Sequence, residues 1–396
     1  MKWLEALTPE YIKKLTPYAS ARRSFIEGDV WLNANENPSV PGLEDQLWKL
    51  NRYPDFQPRN LLKCYAEYVG VQESQLLVTR GIDEGIDLLI GTFCETGVDR
   101  IVYTPPTYGM YKIAAESKGV EACAVPLSGD FQLDIDLIKK TISEQKSNAY
   151  TGSLSNKTQD VERVETTDTN QETGTSASSV ASLAPKLIFL CSPNNPTGGL
   201  LKRADVIAIL EAARDKSLVI LDEAYIEFIP EASVVGLLDE YPNLVVLRTL
   251  SKAFGLAGLR CGFVMAQPDI IQLLRKVIAP YPIPAPVVEL VTQALSGRGI
   301  AKMKEAVSKI VTTRKATELQ LDEFSFIQQV YSGNANFILF KVTDAGALIS
   351  FLTQLGIIIR DQSFQAGLEN CVRVTIGSPS EMNGLYQALQ EFEENL

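Results

Sequence analysis

Lysine at the end of a buried apolar run is rarely there without a partner or a task. Lys252 follows the run NLVVLRT and the pair Leu250-Ser251. Desolvation at such a place lowers the pKa of the amine and frees its lone pair, which suits it to Schiff-base formation with a carbonyl and then to proton transfer. Asp222 closes the run SLVILD. Its carboxylate could keep a proton on the nitrogen of a pyridine ring laid over the strands, and each unit by which that nitrogen's pKa rises corresponds to about 1.4 kcal/mol of preference for the charged ring. A protonated ring is the better electron sink when a substrate Cα loses its proton. Tyr225 stands three residues on, and Asn195 follows the run KLIFLC. Both could hydrogen-bond an oxygen on the next ring position.

An anion has two candidate supports. After QLLVT comes Arg80-Gly81-Ile82-Asp83-Glu84, where Gly81 lets the chain turn tightly into a helix whose first amides lack partners. Ser251 and Arg260 flank the lysine, and a guanidinium is a good bidentate partner for phosphate. Tyr108, after RIVYT and Pro105-Pro106-Thr107, could stack on a ring face. Each residue alone has an ordinary structural reading. Lys252 can reach solvent, DEAY can be a strand-end turn, Asp83 and Glu84 can complement the helix dipole, and Tyr108 can be core. Five strand ends delivering the set together describe a pocket, because ligands of an open parallel sheet bind at the carboxyl ends of its strands.

The elements that must position these residues alternate. QLLVT, RIVYT, EACAVPL, KLIFLC, SLVILD and NLVVLRT are short runs rich in Val, Ile and Leu that read as buried strands. DEGIDLLIGTFCE and KRADVIAILEAARDK between them read as helices. The alternation predicts an α/β fold with a mostly parallel, doubly wound sheet in a large domain over 49–283. Residues 1–48 read as an N-terminal arm that also contributes to a smaller domain, and the prolines of IAPYPIPAP mark the junction to an α+β unit over 284–396. In that unit the helical VVELVTQALS and IAKMKEAVSKIVTTRKATELQLDEF precede the strand-like ANFILFKV, GIIIR and CVRVTIG. A polar stretch at about 147–184 has too few large apolar residues to offset its ordering entropy and reads as a mobile surface insertion.

Composition narrows the chemistry further. At 396 residues the chain exceeds the usual single core, in keeping with two domains. It has no histidine, which removes Ser-His-Asp and Cys-His catalysis and almost all catalytic zinc sites, so no metal is expected. General acid–base work must fall to Lys, Tyr, Cys or a carboxylate unless a cofactor takes the hard step. A net charge of -11 disfavours nucleic acid as a partner. The six scattered cysteines form no CxxC pair and read as free thiols. No apolar run suits a membrane span or a signal peptide, and a cytoplasmic location follows as the default.

SPNNPTG, LDEAYIEF and RTLSKAFGLAGLRCGF, in this order and at these separations, resemble the fold type I pyridoxal-phosphate enzymes of the aspartate-aminotransferase kind. LTPYASARRS, VWLNANENP, NRYPD, PPTYGMY, VIAPYPIP and IIIRDQ are similar to the histidinol-phosphate aminotransferase family in particular. The likeness covers nearly the whole chain and fails at the polar stretch. It implies pyridoxal 5'-phosphate as cofactor, with Lys252 as Schiff-base lysine and proton shuttle, Asp222 at the ring nitrogen, Asn195 and Tyr225 at the ring oxygen and Tyr108 stacked on the ring. Ile82, Asp83, Ser251 and Arg260 would surround the phosphate, and Tyr53 would reach it from a second subunit, which implies a homodimer. Tyr18, Asn195, Arg360 and Arg373 would bind substrate, namely histidinol phosphate and then glutamate or 2-oxoglutarate. A strand-end arginine is also often a plain surface ion pair. An aromatic or broad-specificity aminotransferase on the same scaffold stays open, and competition between amino donors separates the two.

Overall fold

The computed structural model describes residues 1–18, 30–43, 49–143 and 184–396. The polar stretch expected at about 147–184 lies, apart from Ala184, outside the described residues.

Among the described residues seven strands form one sheet: β1 (Leu76–Thr79), β2 (Arg100–Tyr103), β3 (Glu121–Ala124), β4 (Leu187–Cys191), β5 (Leu218–Asp222), β6 (Leu244–Thr249) and β7 (Gly262–Met265). They lie in the order β1-β7-β6-β5-β4-β2-β3. The pairs from β6 across to β3 are parallel, whereas β7 is antiparallel to both its neighbours. The β4, β5 and β6 strands are buried along their full lengths, as unbroken Val, Ile and Leu runs require when helices cover both faces of a sheet. Alternate residues feed two cores: Phe189, Ile220 and Leu247 join one, and Leu190, Leu221 and Val246 the other. The sheet thus has the mostly parallel, α/β form that the alternation predicted.

The β7 strand is an addition to that reading. Its four residues GFVM follow β6 after a connection over 250–261 that holds only the short turn Ala257–Leu259 and no crossover helix, and the chain returns antiparallel. It is wedged between β6 and β1 and carries Arg260, just before it, back to the edge where β1 ends.

A second sheet has the order β10-β11-β9-β8, all antiparallel, from β8 (Ile327–Tyr331), β9 (Phe337–Val342), β10 (Arg360–Asp361) and β11 (Cys371–Thr375). The helices Ala345–Gln354 and Pro379–Glu394 pack on it around Phe326, Phe340, Leu352, Val372 and Phe392. The expected strand GIIIR pairs only at Arg360, with Asp361 added. Gly356 turns the chain through a left-handed conformation (φ 77°) after the preceding helix, and Ile358 ends up 75% exposed instead of facing a core. The β8 strand, IQQVY, carries two adjacent glutamines and has no apolar alternation to announce it.

The helix Ala285–Ala294 after the proline-rich junction still packs Val291 into the large-sheet core. Helix Gly297–Leu321 spans both units: Met303 and Val307 belong to the large core and Leu321 to the small one. No helix among the described residues is long and apolar enough to cross a membrane.

Candidate active site

The carboxyl ends of β1, β2, β4, β5 and β6 surround an open cleft. Ile82, Asp83, Tyr108, Asn195, Asp222, Tyr225, Ser251, Lys252 and Arg260 all line it. Lys252 is exposed there, which corrects the expectation of a buried lysine: its stem follows β6 but its amine opens into the cleft. Its Nζ lies 5.5 Å from the centre of the Tyr225 ring. Partial desolvation, reinforced by Arg373, pulls the amine below the usual lysine range, while Asp222 and Asp83 oppose the shift.

Asp222 is 2% exposed at the floor of the cleft. Its Oδ2 accepts a 2.6 Å hydrogen bond from Tyr111 Oη, and Oδ1 accepts one of 3.0 Å from the Ala224 amide. Burial pushes its carboxyl up to about 6 despite those two donors. Among the described residues it has no ion-pair partner, so the floor presents a buried carboxylate that a cationic N–H would satisfy. Tyr225 is held edge-on to Phe337 with ring centroids 5.2 Å apart.

On one wall, Gly81 takes φ 86° before the helix Ile82–Phe93. Asp83, in the first turn, accepts from Tyr108 Oη at 2.8 Å and pairs with Arg260 at 3.1 Å. Its carboxylate therefore aims the tyrosine and the guanidinium, and an anion at this corner would meet the helix-start amides rather than that side chain. Arg260 itself is in the left-handed region (φ 51°), where its guanidinium comes to lie beside Gly81: a Cβ on Gly81 would sit 2.8 Å from Nη2. Ser251 Oγ accepts a 2.9 Å bond from Thr249 Oγ1 on the same wall.

On the opposite side Arg373 Nη1 donates a short bond to Asn195 Oδ1, and its guanidinium lies 5.1 Å from the centre of the Phe337 ring. Arg360 is its cross-strand partner, so two cations sit side by side where the small sheet meets the cleft. Tyr18 and Tyr53 are not brought in. Tyr18 is 69% exposed, and Tyr53 stacks on Tyr281 with centroids 4.3 Å apart, its amide donating to Glu36 Oε1.

Two residues of structural consequence went unread in the sequence. Tyr111 lies three residues beyond Tyr108, a one-turn spacing that could have suggested a shared direction. Gly262 is needed for contact: a Cβ there would stand 2.7 Å from Gly81 C and 2.8 Å from Ile82 N. Cys191 and Ala224 also line the cleft.

A doubly wound sheet with a lysine, a buried carboxylate and a helix-start corner at its strand ends is the arrangement of a class of transferases. The chain belongs to the class I and II aminotransferases, whose family profile matches residues 29–389. Histidinol-phosphate aminotransferases are among its relatives in that class. The histidinol-phosphate aminotransferase of Pectobacterium carotovorum is 45% identical over 390 residues, covering 98% of each chain. The crystal structure of the histidinol-phosphate aminotransferase from Clostridium acetobutylicum superposes with a TM-score of 0.72 at 24% identity, over 88% of this chain and 92% of that one. That from Sinorhizobium meliloti, solved in complex with pyridoxal-5'-phosphate, gives 0.72 at 22% identity over 87% and 84%.

Proposed function

We propose that the chain transfers the amino group of L-histidinol phosphate to 2-oxoglutarate, giving imidazole acetol phosphate and L-glutamate, a step of L-histidine biosynthesis, and that it uses pyridoxal 5'-phosphate. The observation that carries the reading is the convergence of Lys252, Asp222, Asn195 and Arg373 on one cleft in a chain so similar to enzymes of that name.

The cofactor fits the residues present. Asp222 is a buried carboxylate in want of a cation, Gly81 and Ile82 with Ser251 and Arg260 make an anion corner, and Lys252 stands exposed between them. When bound, pyridoxal phosphate supplies an electron sink for charge left at the substrate Cα. Lys252 would hold the cofactor, and its free amine would accept the substrate Cα proton and give it up again, since a chain without histidine offers no imidazole to compete. Asp222 would keep the ring nitrogen protonated, Tyr225 and Asn195 would bind the ring oxygen, and Tyr108 would stack on the ring.

Arg373 and Arg360 bind the phosphate of histidinol phosphate in one half-reaction and a carboxylate of 2-oxoglutarate in the other, both within reach of bidentate guanidinium recognition. Tyr18 is a further substrate-binding residue in this reading. Tyr53 serves the cleft of a second subunit in a cytoplasmic homodimer.

Saturating 2-oxoglutarate with competing donors tests the substrate. Histidinol phosphate is expected to exceed phenylalanine and tyrosine in kcat/KM by about 10-fold or more, since a phosphate and an imidazole offer the site more polar contacts than a carboxylate and an aromatic ring; equal or better rates with the aromatic donors would favour the broad-specificity reading. Lys252→Ala is expected to abolish turnover together with the borohydride-sensitive visible absorbance, and unchanged activity would sink the mechanism.

A further inference from the structure

Behind the cleft, on the other face of the main sheet, lies a set of buried ionisable groups that the transamination reading leaves without a role. Glu223, next to Asp222, points to this face and pairs with Arg248 of β6 at 2.8 Å, and Arg248 also donates to Ser233 Oγ. Beyond them Glu227, 6% exposed in the turn Ile226–Phe228, has no hydrogen-bond partner for either carboxyl oxygen among the described residues. Tyr65, fully buried in helix Arg59–Val69 with its ring against Phe263, has no partner for its hydroxyl either. Arg248 acts electrostatically on both.

We propose that Tyr65, Glu227 and the Arg248 guanidinium enclose a bound-water site, and that Glu227 acts through it as a positioning residue for the Ser251–Phe254 segment. Three orphaned buried oxygens facing one guanidinium are what an internal water satisfies, since such a water makes about three hydrogen bonds to groups that otherwise have none. The hydrogen-bond inventory balances: the guanidinium donates, the tyrosine both donates and accepts, and the carboxyl accepts with both oxygens. The route to the lysine is a chain of rings. Tyr65 tilts against Tyr68 at 5.8 Å, Tyr68 meets Phe254 edge-on at 5.6 Å, and Phe254 is two residues past Lys252. Backbone bonds from Gly255 to Lys252 and from Leu256 to Leu250 close that segment into a tight loop, so a shift of Phe254 moves the lysine with it.

Charge at Glu227 is the variable. Burial pushes its carboxyl up to about 7, with Glu223 adding to the rise and Arg248 opposing it. The other titratable groups facing the set are Tyr65, Tyr68 and Cys261. Near neutral pH Glu227 thus changes charge beneath the loop, whereas a glutamine would not.

The inference rests on Lys252 being the cofactor lysine, and the tests keep the two apart. A crystal structure of the wild-type holoenzyme is expected to show at least one ordered water within hydrogen-bond reach of Tyr65 Oη and a Glu227 oxygen, and Tyr65→Phe is expected to lose it; a dry site overturns the proposal without any variant having to fold. With saturating cofactor, the ratio of kcat for wild type to Glu227→Gln is expected to change by about threefold or more between about pH 6 and about pH 8.5. A constant ratio overturns the positioning role. If instead Lys252→Ala keeps its turnover and visible band, the reading of the cleft fails, whatever Glu227 does.

Discussion

Asp222 is held by two donors of different kinds, an amide two residues on and a tyrosine hydroxyl from another element, and the second can be removed alone. Tyr111→Phe keeps the ring that stacks on Phe189 and deletes only the hydroxyl. The carboxyl already stands at about 6 because it is buried, and losing a donor to the charged form raises it further. The protonated form cannot pair with a ring N–H cation, so the affinity of the apoenzyme for pyridoxal phosphate should fall as pH drops through about 6 in wild type and at a higher pH in the variant. A hydrogen bond to a charged group is worth about 1.5–3 kcal/mol, or about one to two pKa units, so the charged fraction at pH 7, and the affinity with it, should fall roughly 2- to 10-fold. Cofactor titration followed by absorbance decides it, and an unmoved midpoint would relieve Tyr111 of the role. Lys252, Asp222 and Asn195 were legible because a parallel sheet presents its strand ends to its ligand. Tyr111 was not, because its meaning depends on which way the first turn of helix Met110–Ser117 faces.

At the scale of elements, the lysine loop and the anion corner are locked together by β7. The sequence announced the parallel strands through unbroken apolar runs, yet a four-residue strand such as GFVM, or the polar IQQVY of β8, offers too few positions for a period to declare itself. Gly262 explains why β7 can lie where it does: its bare Cα lets the strand pass against the backbone of Gly81 and Ile82. Neither of those neighbours is a flexible side-chain tip that could swing away. Gly262→Ala therefore has to separate β7 from the start of helix Ile82–Phe93, at a cost of about 1–3 kcal/mol by the usual scale of overpacking. Because the displaced backbone is itself the anion corner, cofactor retention on dialysis should fall along with the melting temperature. A variant with wild-type melting and full retention would show that the close approach is dispensable.

For the whole molecule, the proposed dimer can be tested through Tyr53. Tyr53 is half-exposed, stacked on Tyr281 beside Glu36 and Pro284, and absent from the cleft of its own chain. If it serves a cofactor phosphate, that phosphate belongs to a neighbour, and a two-fold dimer is the simplest assembly in which each subunit lends what it receives. Two defective chains can then repair each other. In a hybrid of Lys252→Ala with Tyr53→Ala, the site that keeps Lys252 takes its Tyr53 from the lysine-less partner and is intact, while the other site lacks both. Random exchange of equal amounts makes about half the dimers hybrids, each with one good site of two, so the mixture should recover roughly a quarter of wild-type activity. Were Tyr53 to act within its own subunit, each site of the hybrid would carry one defect and mixing would restore nothing. Activity measured after co-refolding the two variants, with each refolded alone as its baseline, separates these outcomes.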